Sequence, residues 1–231
     1  TVKNLTIDGS IEIDEPLKSN VGGLAGYMDC SNASIDNCIS DVNIYLSGED
    51  MQAGGLFGEI NVSDGELQIR NCKMTGLISM AGTNSALAGL AAFSKGTVEI
   101  SDCSVKGELW QTGAVSYVGG IVGNAYYSNF KAERCSVLGE SRIEEAGMIS
   151  GIANTSSASD LQIEDCIVAG ELTLSSDAAD VFGITAGTEN STVKNCFDYL
   201  KVMDTDGTVV SHEEPVYEET VENSYIYQWE K

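Results

Sequence analysis

The stretch VGGLAGYMDCSNASIDNCISDVNIYL, residues 21–46, contains the two sequence anchors that decide the fold. The first anchor is a glycine-rich element, VGGLAG at 21–26, and the second is the Asn-Cys step at 37–38. Both anchors recur along the chain in the same order. Self-similarity at a fixed period of roughly 20–50 residues is typical of repeat architectures. The chain is therefore predicted to consist of stacked copies of one unit.

The repeat is regular enough to give its period. Six copies of the glycine anchor share a central glycine, and they read VGGLAG at 21–26, AGGLFG at 53–58, LAGLAA at 87–92, VGGIVG at 118–123, ISGIAN at 149–154 and VFGITA at 181–186. Six cysteines follow them at spacings of 34, 31, 32, 31 and 30 residues, and they are Cys38, Cys72, Cys103, Cys135, Cys166 and Cys196. Residues 2–11 fit the same frame with Leu5 in the cysteine position. We expect about seven coils with a period of about 31 residues.

The residues after each cysteine alternate with a period of two, which indicates strands rather than helices. Cys103, Val105 and Leu109 should face the interior, and the residues between them should face outward. An Asn or Asp stands before most cysteines and suits a bend with positive φ, although Arg134 departs from this pattern. Coils of this kind bury their apolar sides by stacking. The sequence predicts an all-β, right-handed parallel β-solenoid, or β-helix, with the six cysteines in one internal ladder.

The repeat also suggests how the chain is divided. Residues 1–202 are predicted to form the solenoid, and the acidic, aromatic residues 203–231 to form a C-terminal cap or a linking strand, because an open sheet edge needs a cover. The distance from each cysteine to the next central glycine is nearly constant, whereas the other half of the coil varies in length. We therefore expect a ridge of stacked loops, at about 27–33, 59–66, 92–96, 124–129, 154–160 and 187–191.

The anchors resemble the GLUG repeat, named for Gly-Leu-small-Gly. GLAG at 23–26, GLFG at 55–58 and GIVG at 120–123 match it, and GLAA, GIAN and GITA are altered copies. The resemblance covers roughly residues 1–202 and implies an exported bacterial protein, either an adhesin-like surface protein or the non-catalytic region of an immunoglobulin A metallopeptidase. It transfers no catalytic residue, since the HExxH signature of the peptidase is missing and the one histidine is His212.

Composition restricts the class of partner. The formal charge of −23, with 35 acidic and 12 basic residues, argues against nucleic acid and anionic membranes. No apolar stretch is long enough to suggest membrane insertion, and residues 1–20 lack a signal-peptide pattern. We expect an extracellular, bacterial cell-surface location, other domains in a longer chain, and a host or neighbouring-cell protein or glycan as the partner.

The cysteines allow two interpretations. A column of small, buried, reduced thiols is the first, because neighbouring thiols would have parallel Cβ vectors that disfavour a disulfide. A local disulfide between Cys30, expected in a loop, and Cys38 is the second. No CxxC motif or Cys/His group is present to suggest zinc.

Acidic residues on the outside raise the questions of catalysis and calcium. Glu108, Glu140 and Glu171 lie five residues after successive cysteines and should form one outward column. Carboxylates that point the same way do not flank a sugar, so we predict that the protein is not an enzyme. Calcium bridging of this column is an alternative to solvated glutamates, and no other cofactor is indicated.

Aromatic and amide side chains in the expected loops and connections give the candidate ligand-binding residues, because such groups commonly stack on sugars. They are Tyr27, Asp29, Trp110, Tyr117, Tyr126, Tyr127 and Asn129. The sequence favours a non-catalytic structural or adhesive surface module. A carbohydrate-active enzyme on the same fold (a polysaccharide lyase or hydrolase) and a spacer domain of a secreted peptidase remain alternatives. Carboxylates that converge in a groove would support the enzyme.

Overall fold

The computed structural model describes residues 1–156, 159–175, 180–187, 191–210 and 221–229, with the side chains of residues 15–17 and 226 excepted. All the regular secondary structure among these residues is β-strand. The described residues contain no helix that could span a membrane. The strands of successive turns pair in parallel throughout. The chain is a parallel β-solenoid, as the period predicted.

The strands form two sheets, here called wall A and wall B. Wall A contains β1 (Val2–Lys3), β4 (Ala25–Cys30), β5 (Ala33–Asp36), β8 (Phe57–Val62), β9 (Leu67–Arg70), β13 (Ala91–Ser101), β16 (Val122–Glu133), β19 (Ala153–Asn154), β20 (Asp160–Glu164), β24 (Thr185–Ala186), β25 (Thr192–Lys194) and β28 (Val221–Glu222).

Wall B contains the remaining strands. They are β2 (Thr6–Leu17), β3 (Asn20–Gly22), β6 (Ile39–Glu49), β7 (Gln52–Gly54), β10 (Lys73–Met74), β11 (Leu77–Thr83), β12 (Ala86–Ala88), β14 (Ser104–Val105), β15 (Glu108–Gly119), β17 (Ser136–Val137), β18 (Glu140–Ser150), β21 (Ile167–Val168), β22 (Glu171–Leu174), β23 (Asp180–Phe182), β26 (Phe197–Asp198), β27 (Lys201–Asp204) and β29 (Tyr225–Ile226).

Six turns are complete, and each carries one glycine anchor; the chain before and after them adds partial turns. The expected number of about seven coils includes these partial turns. Alternation after the cysteines is as predicted: Cys103, Val105 and Leu109 are buried, whereas Lys106 and Glu108 are exposed. Stacking of such sets fills the interior with continuous aliphatic and thiol columns.

The corner before the cysteines is a column of left-handed residues, as the sequence predicted. Its eight members have φ between 50° and 56°, and they are Asn4, Asn37, Asn71, Asp102, Arg134, Asp165, Asn195 and Asn223. Their side chains bond along the column, for example from Asn195 Nδ2 to Asp165 Oδ1 at 3.0 Å. Arg134 keeps the bend although it is neither Asn nor Asp, and its guanidinium donates to both carboxylate oxygens of Asp102 at 2.7 and 2.8 Å.

The expected ridge of loops is wrong for four of its six segments. Residues 27–30, 59–62, 92–96 and 124–129 lie in strands β4, β8, β13 and β16 of wall A. Cys30, expected in a loop, is the last residue of β4. Differences in coil length are absorbed by short corners and by a register shift between β13 and β16 rather than by loops. The segments 154–160 and 187–191 lie partly outside the described residues.

The tail continues the solenoid beyond residue 202. Strand β28 pairs in parallel with β25, and β29 pairs in parallel with β26. Ser224 takes the cysteine position after the left-handed Asn223. Residues 221–226 therefore add a further partial level over the last complete turn, so the predicted division at 202 does not mark the end of the coil pairing.

The glycine anchor has two distinct roles. The central glycine is needed along the axis, because a Cβ on Gly120 would lie 1.9 Å from the carbonyl oxygen of Gly151. The last glycine marks a bend that folds wall A back towards wall B, since a Cβ on Gly26 would lie 2.2 Å from the Asn20 carbonyl oxygen. Across this re-entrant bend, Asn20 Nδ2 donates to Glu59 Oε2 at 2.6 Å. The anchor thus creates a concave surface where the two walls face each other.

We predict that Gly120→Ala destabilises the protein strongly, because the added methyl group meets backbone and both Val137 methyl groups at 2.8 Å. Overpacking of this kind costs about 1–3 kcal/mol or more. The milder comparison is Gly147→Ala on an exposed part of β18, where the added Cβ would be crowded only by the Ser116 carbonyl oxygen, at 2.9 Å, and its other contacts are at 3.8 Å or more. Urea unfolding should give a much lower midpoint for Gly120→Ala alone. Equal midpoints for the two variants would contradict the axial role.

Candidate functional site

The cysteine ladder is confirmed, and its thiols have a structural use. Cys38, Cys72, Cys103, Cys135, Cys166 and Cys196 are buried, and all seven cysteines are free. Cys103 Sγ accepts the Cys72 N–H at 3.3 Å and donates to the Ser101 carbonyl at 3.2 Å. Hydrogen bonds with the Cys135 and Cys72 thiols, together with burial, raise the pKa of Cys103. This thiol is therefore a protonated bridge between turns.

Serines make the same bridge elsewhere in the solenoid. The Met51 N–H donates to Ser85 Oγ at 3.0 Å, and that hydroxyl donates to the Thr83 carbonyl at 2.9 Å. Ser224 accepts the Cys196 N–H at 3.0 Å at the last level of the ladder. Each bridge satisfies a backbone N–H that the corner turns away from the regular sheet pattern. The ladder is thus part of the scaffold.

The seven predicted ligand-binding residues do not form one site. Tyr27 and Asp29 lie exposed on β4, where Asp29 Oδ1 accepts from Asn61 Nδ2 at 3.3 Å. Asn129 is exposed on β16, and Tyr127 is 56% exposed at a left-handed bulge with φ 46°. Of the remaining three, Trp110 and Tyr117 line two separate concave surfaces, and Tyr126 lies against Phe93 beside one of them.

The first surface, here called the aromatic–amide cleft, follows the re-entrant bend and has a volume of about 360 Å³. Its lining includes Gln52, Phe93, Tyr117 and Asn124 from both walls, together with Lys18, Asp50, Met51, Asn84, Ser85, Ala86 and Ser116. Phe93 contacts Tyr126, with ring centroids 5.6 Å apart, and so links the cleft to a predicted residue. The cleft therefore combines aromatic faces with carboxamides.

The side-chain amides of Asn124 and Gln52 differ in their hydrogen bonding. Asn124 is held in position, because its Nδ2 donates to Ser156 Oγ at 2.9 Å and its Oδ1 accepts the Ser156 N–H at 3.1 Å. The Gln52 Oε1 atom is buried and has no hydrogen-bond partner among the described residues. An unpaired buried acceptor costs about 1–3 kcal/mol, so a donor supplied by a ligand would be favourable there.

The second surface lies over the outer face of wall B and has a volume of about 480 Å³. Trp110 and Arg142 form its centre, with the guanidinium 5.1 Å from the indole ring centroid. Thr173, Ser175 and Thr205 complete the polar side. The Trp110 Nε1 atom is buried without a partner among the described residues.

The predicted glutamate column exists, but it does not assemble a metal centre in the described chain. Glu140 and Glu171 are direct register partners, and Glu108 is exposed like them. Lys201 lies on the next level and reaches Glu171 with its Nζ 3.4 Å from Oε1. Among the described residues no three His, Cys, Asp or Glu side chains lie close enough to hold a metal ion. Calcium at this column stays a prediction.

A charged groove of about 300 Å³ on wall A brings together groups that the sequence left scattered. Its lining includes Arg70, Glu99, Asp102, Lys131 and Arg134. Burial and the neighbouring Glu66 carboxyl raise the pKa of Glu99, whereas hydrogen bonding to Arg134 lowers the pKa of Asp102. Most of these charges are already paired within the groove, as in the contact between Lys131 Nζ and Glu133 Oε2 at 3.2 Å.

Several surface residues escaped the sequence analysis. Phe93, Gln52 and Asn124 join the cleft only because the re-entrant bend brings the walls together. An exposed aromatic group at the C-terminal end was also missed, and it comprises Phe197, Tyr199, Tyr225, Tyr227 and Trp229. The signal for this group was present, since CFDYLK at 196–201 and SYIYQW at 224–229 share one frame when serine is allowed in the cysteine position.

Comparison of the chain with protein-family models, with curated proteins and with solved structures gave no match. The strand pairing shows the class of the protein, which is a parallel β-solenoid. The resemblance to the GLUG repeat stays an expectation from the anchor motifs.

We predict that Cys103→Ala lowers the free energy of unfolding by about 1–3 kcal/mol, because the buried Cys72 N–H loses its acceptor. Cys103→Ser should lose clearly less, since serine already makes this bridge at Ser85 and Ser224. Urea unfolding under reducing conditions measures both variants. Equal losses for alanine and serine would show that the thiol contributes packing only.

Glu99 provides a test at varied pH. Its raised pKa means that the folded state holds the proton more tightly than the unfolded state, so the associated stability is present at low pH. That stability is lost as the pH rises through the folded pKa. We expect Glu99→Gln to raise the free energy of unfolding at pH 7 by a few tenths of a kcal/mol, with no gain at pH 3.5.

Glu12→Gln, on an exposed position of β2 beside Tyr45, is the matched control. Thermal unfolding across this pH range should show no comparable gain for it. A gain for Glu99→Gln that is the same at both pH values would rule out the carboxyl pair as the cause.

Proposed function

We propose that this chain is a non-catalytic structural and adhesive module of a bacterial cell surface, which binds glycans in the aromatic–amide cleft. The observation that carries the proposal is the convergence of Phe93 and Tyr117 with Gln52 and Asn124 in one concave surface. Aromatic rings supply a face for the apolar side of a sugar, and carboxamides supply donors and acceptors for its hydroxyl groups.

The scaffold supports this function by presenting the cleft rigidly. The four aromatic and amide residues that define the cleft lie on paired strands of both walls, and one of them, Asn124, is fixed by two hydrogen bonds to Ser156. Little conformational entropy is then lost when a ligand binds, which favours affinity. The proposed binding residues are therefore presented by the strands of the two walls, and not by the loops that the sequence predicted.

The bacterial surface assignment has independent support from the sequence. The GLUG-like anchors imply an exported bacterial protein, and the charge of −23 disfavours anionic partners such as nucleic acid. A spacer role in a secreted peptidase is compatible with the same fold, and the domains encoded beside this one would distinguish the two roles.

A carbohydrate-active enzyme is a second candidate, and the charged groove is the observation that favours it. Glu99 and Asp102 have pKa values shifted in opposite directions, which is the pattern of an acid and a base. Incubation with polysaccharides and detection of new reducing ends would support this candidate, provided that Glu99→Gln abolishes the release. We expect no release from wild-type protein, because the groove charges are largely engaged with each other.

The binding proposal is tested on a glycan array, followed by titration of the best glycan. We expect saturable binding, and a loss of affinity of at least tenfold in Tyr117→Ala and in Phe93→Ala because each removes an aromatic face. Tyr45→Ala is the control, since Tyr45 is 41% exposed on wall B and does not line the cleft.

Chelation of calcium during the same titration separates two modes of binding. Unchanged affinity is expected if the cleft acts alone. Loss of affinity on chelation, restored by calcium and absent in Glu140→Gln, would instead support calcium at the column of Glu108, Glu140 and Glu171. Absence of binding to every glycan would refute the adhesive function and leave a scaffold.

A further inference from the structure

The C-terminal end of the solenoid carries an aromatic surface that is separate from the cleft. Phe197 and Tyr199 alternate along one level, and Tyr225 and Tyr227 lie on the next level, because β29 pairs with β26 in register. Trp229 follows in the same alternation, and its Nε1 donates to the Tyr199 carbonyl at 3.2 Å. These five residues are here called the aromatic platform.

The rings of the platform are ordered relative to one another. Phe197 and Tyr199 have ring centroids 6.4 Å apart and planes within 6°, and Phe197 and Tyr225 are 5.8 Å apart with planes within 17°. Tyr227 contacts Tyr199 at 6.0 Å and Trp229 at 5.0 Å. A continuous aromatic surface thus covers two levels of the coil, with its geometry fixed by backbone pairing.

The platform is not part of the core. Its members are between 38% and 65% exposed, although aromatic side chains stabilise a fold mainly through burial. Single exposed aromatic residues need no explanation, but five in contact form a patch of the size that marks an interaction site. The chain as a whole carries a charge of −23, so an uncharged aromatic surface on it is chemically distinct.

The exposed area of the platform distinguishes between a protein and an oligosaccharide as its ligand. With roughly 150–250 Å² for each aromatic side chain, the exposed fractions give about 450 Å² in total. A stable protein–protein interface needs about 800 Å² from each partner. The platform is therefore too small to hold a second copy of this chain by itself, whereas a short oligosaccharide lying across the rings would cover it.

The charge of the protein favours a neutral sugar over an anionic one. Lys201 is a cation beside the platform, and it is already engaged with the Trp229 ring at 5.9 Å and with Glu171 at 3.4 Å. An anionic sugar would meet a protein of charge −23, and Lys201 is not free to pair with it. A neutral sugar needs no such partner, and its C–H face packs on aromatic rings.

We propose that the aromatic platform is a second carbohydrate-binding site, which takes a neutral oligosaccharide stacked across Phe197, Tyr199, Tyr225, Tyr227 and Trp229. The site is independent of the cleft, since none of its residues lines that surface. Two sites on one rigid rod would allow one module to hold two segments of a polysaccharide, or two chains, and so increase avidity.

The two tryptophans allow each surface to be observed separately, because Trp229 belongs to the platform and Trp110 lies on wall B. In Trp110→Phe protein, the fluorescence of Trp229 should change saturably on titration with cellohexaose or chitohexaose. Adding Tyr225→Ala and Tyr227→Ala should weaken this response at least tenfold. Since Tyr225 is 65% exposed, the thermal midpoint should change little and so exclude unfolding as the cause.

The controls separate this site from the proposed function. Phe93→Ala and Tyr117→Ala should leave the Trp229 response unchanged even if they abolish binding in the cleft. No response to either hexaose would overturn the platform as a neutral-sugar site. Loss of the response only in the cleft variants would also overturn it. Sedimentation that shows a dimer lost in the Tyr225→Ala, Tyr227→Ala variant would assign the patch to a second copy instead.

Discussion

Parallel backbone hydrogen bonding between successive turns is the constraint on which the rest of this structure depends. It holds each level in register with the next, so that residues one period apart lie on top of each other. A steric restriction at one position of the coil therefore recurs at the equivalent position of every turn. The central glycines are one consequence, because their neighbours along the axis leave no space for a Cβ.

The corners show the same constraint at the level of hydrogen bonds. A left-handed residue turns the chain sharply, and the following backbone N–H then points away from its regular partner. A thiol or hydroxyl from the next level accepts that N–H, as Cys103 does for Cys72 and Ser85 does for Met51. The geometry of the corner is therefore sufficient to explain why a thiol or hydroxyl recurs at this position.

The parallel register also determines which outward-facing side chains lie next to each other. Stacked side chains of like charge repel, as along the column of Glu108, Glu140 and Glu171. Lys201 follows Glu171 as an opposite charge at the next level. Aromatic side chains gain from stacking, so the same register also assembles Phe197 with Tyr225. The two proposed binding surfaces of this solenoid therefore lie where unlike walls meet and where aromatic residues coincide on neighbouring levels.

The sequence by itself determined the coil, its period, the buried cysteine column and the left-handed corner, because each of these repeats at a fixed spacing that one chain displays directly. It could not determine the loops or the sites. Residues 27–33 look polar and irregular but lie mainly in β4, since the outer face of a strand may be as polar as a loop.

Only the tertiary structure decided that Phe93 and Tyr117, which belong to different walls, share a cleft. Their position in one cleft depends on the angle at the re-entrant bend, which the spacing of residues in the sequence does not encode. The sequence contained only a partial signal for the continuation of the coil at Ser224, because serine stands there in place of the cysteine that identified each complete turn. Repetition along a chain reveals which residues stack, whereas the facing of two walls is set by packing in three dimensions.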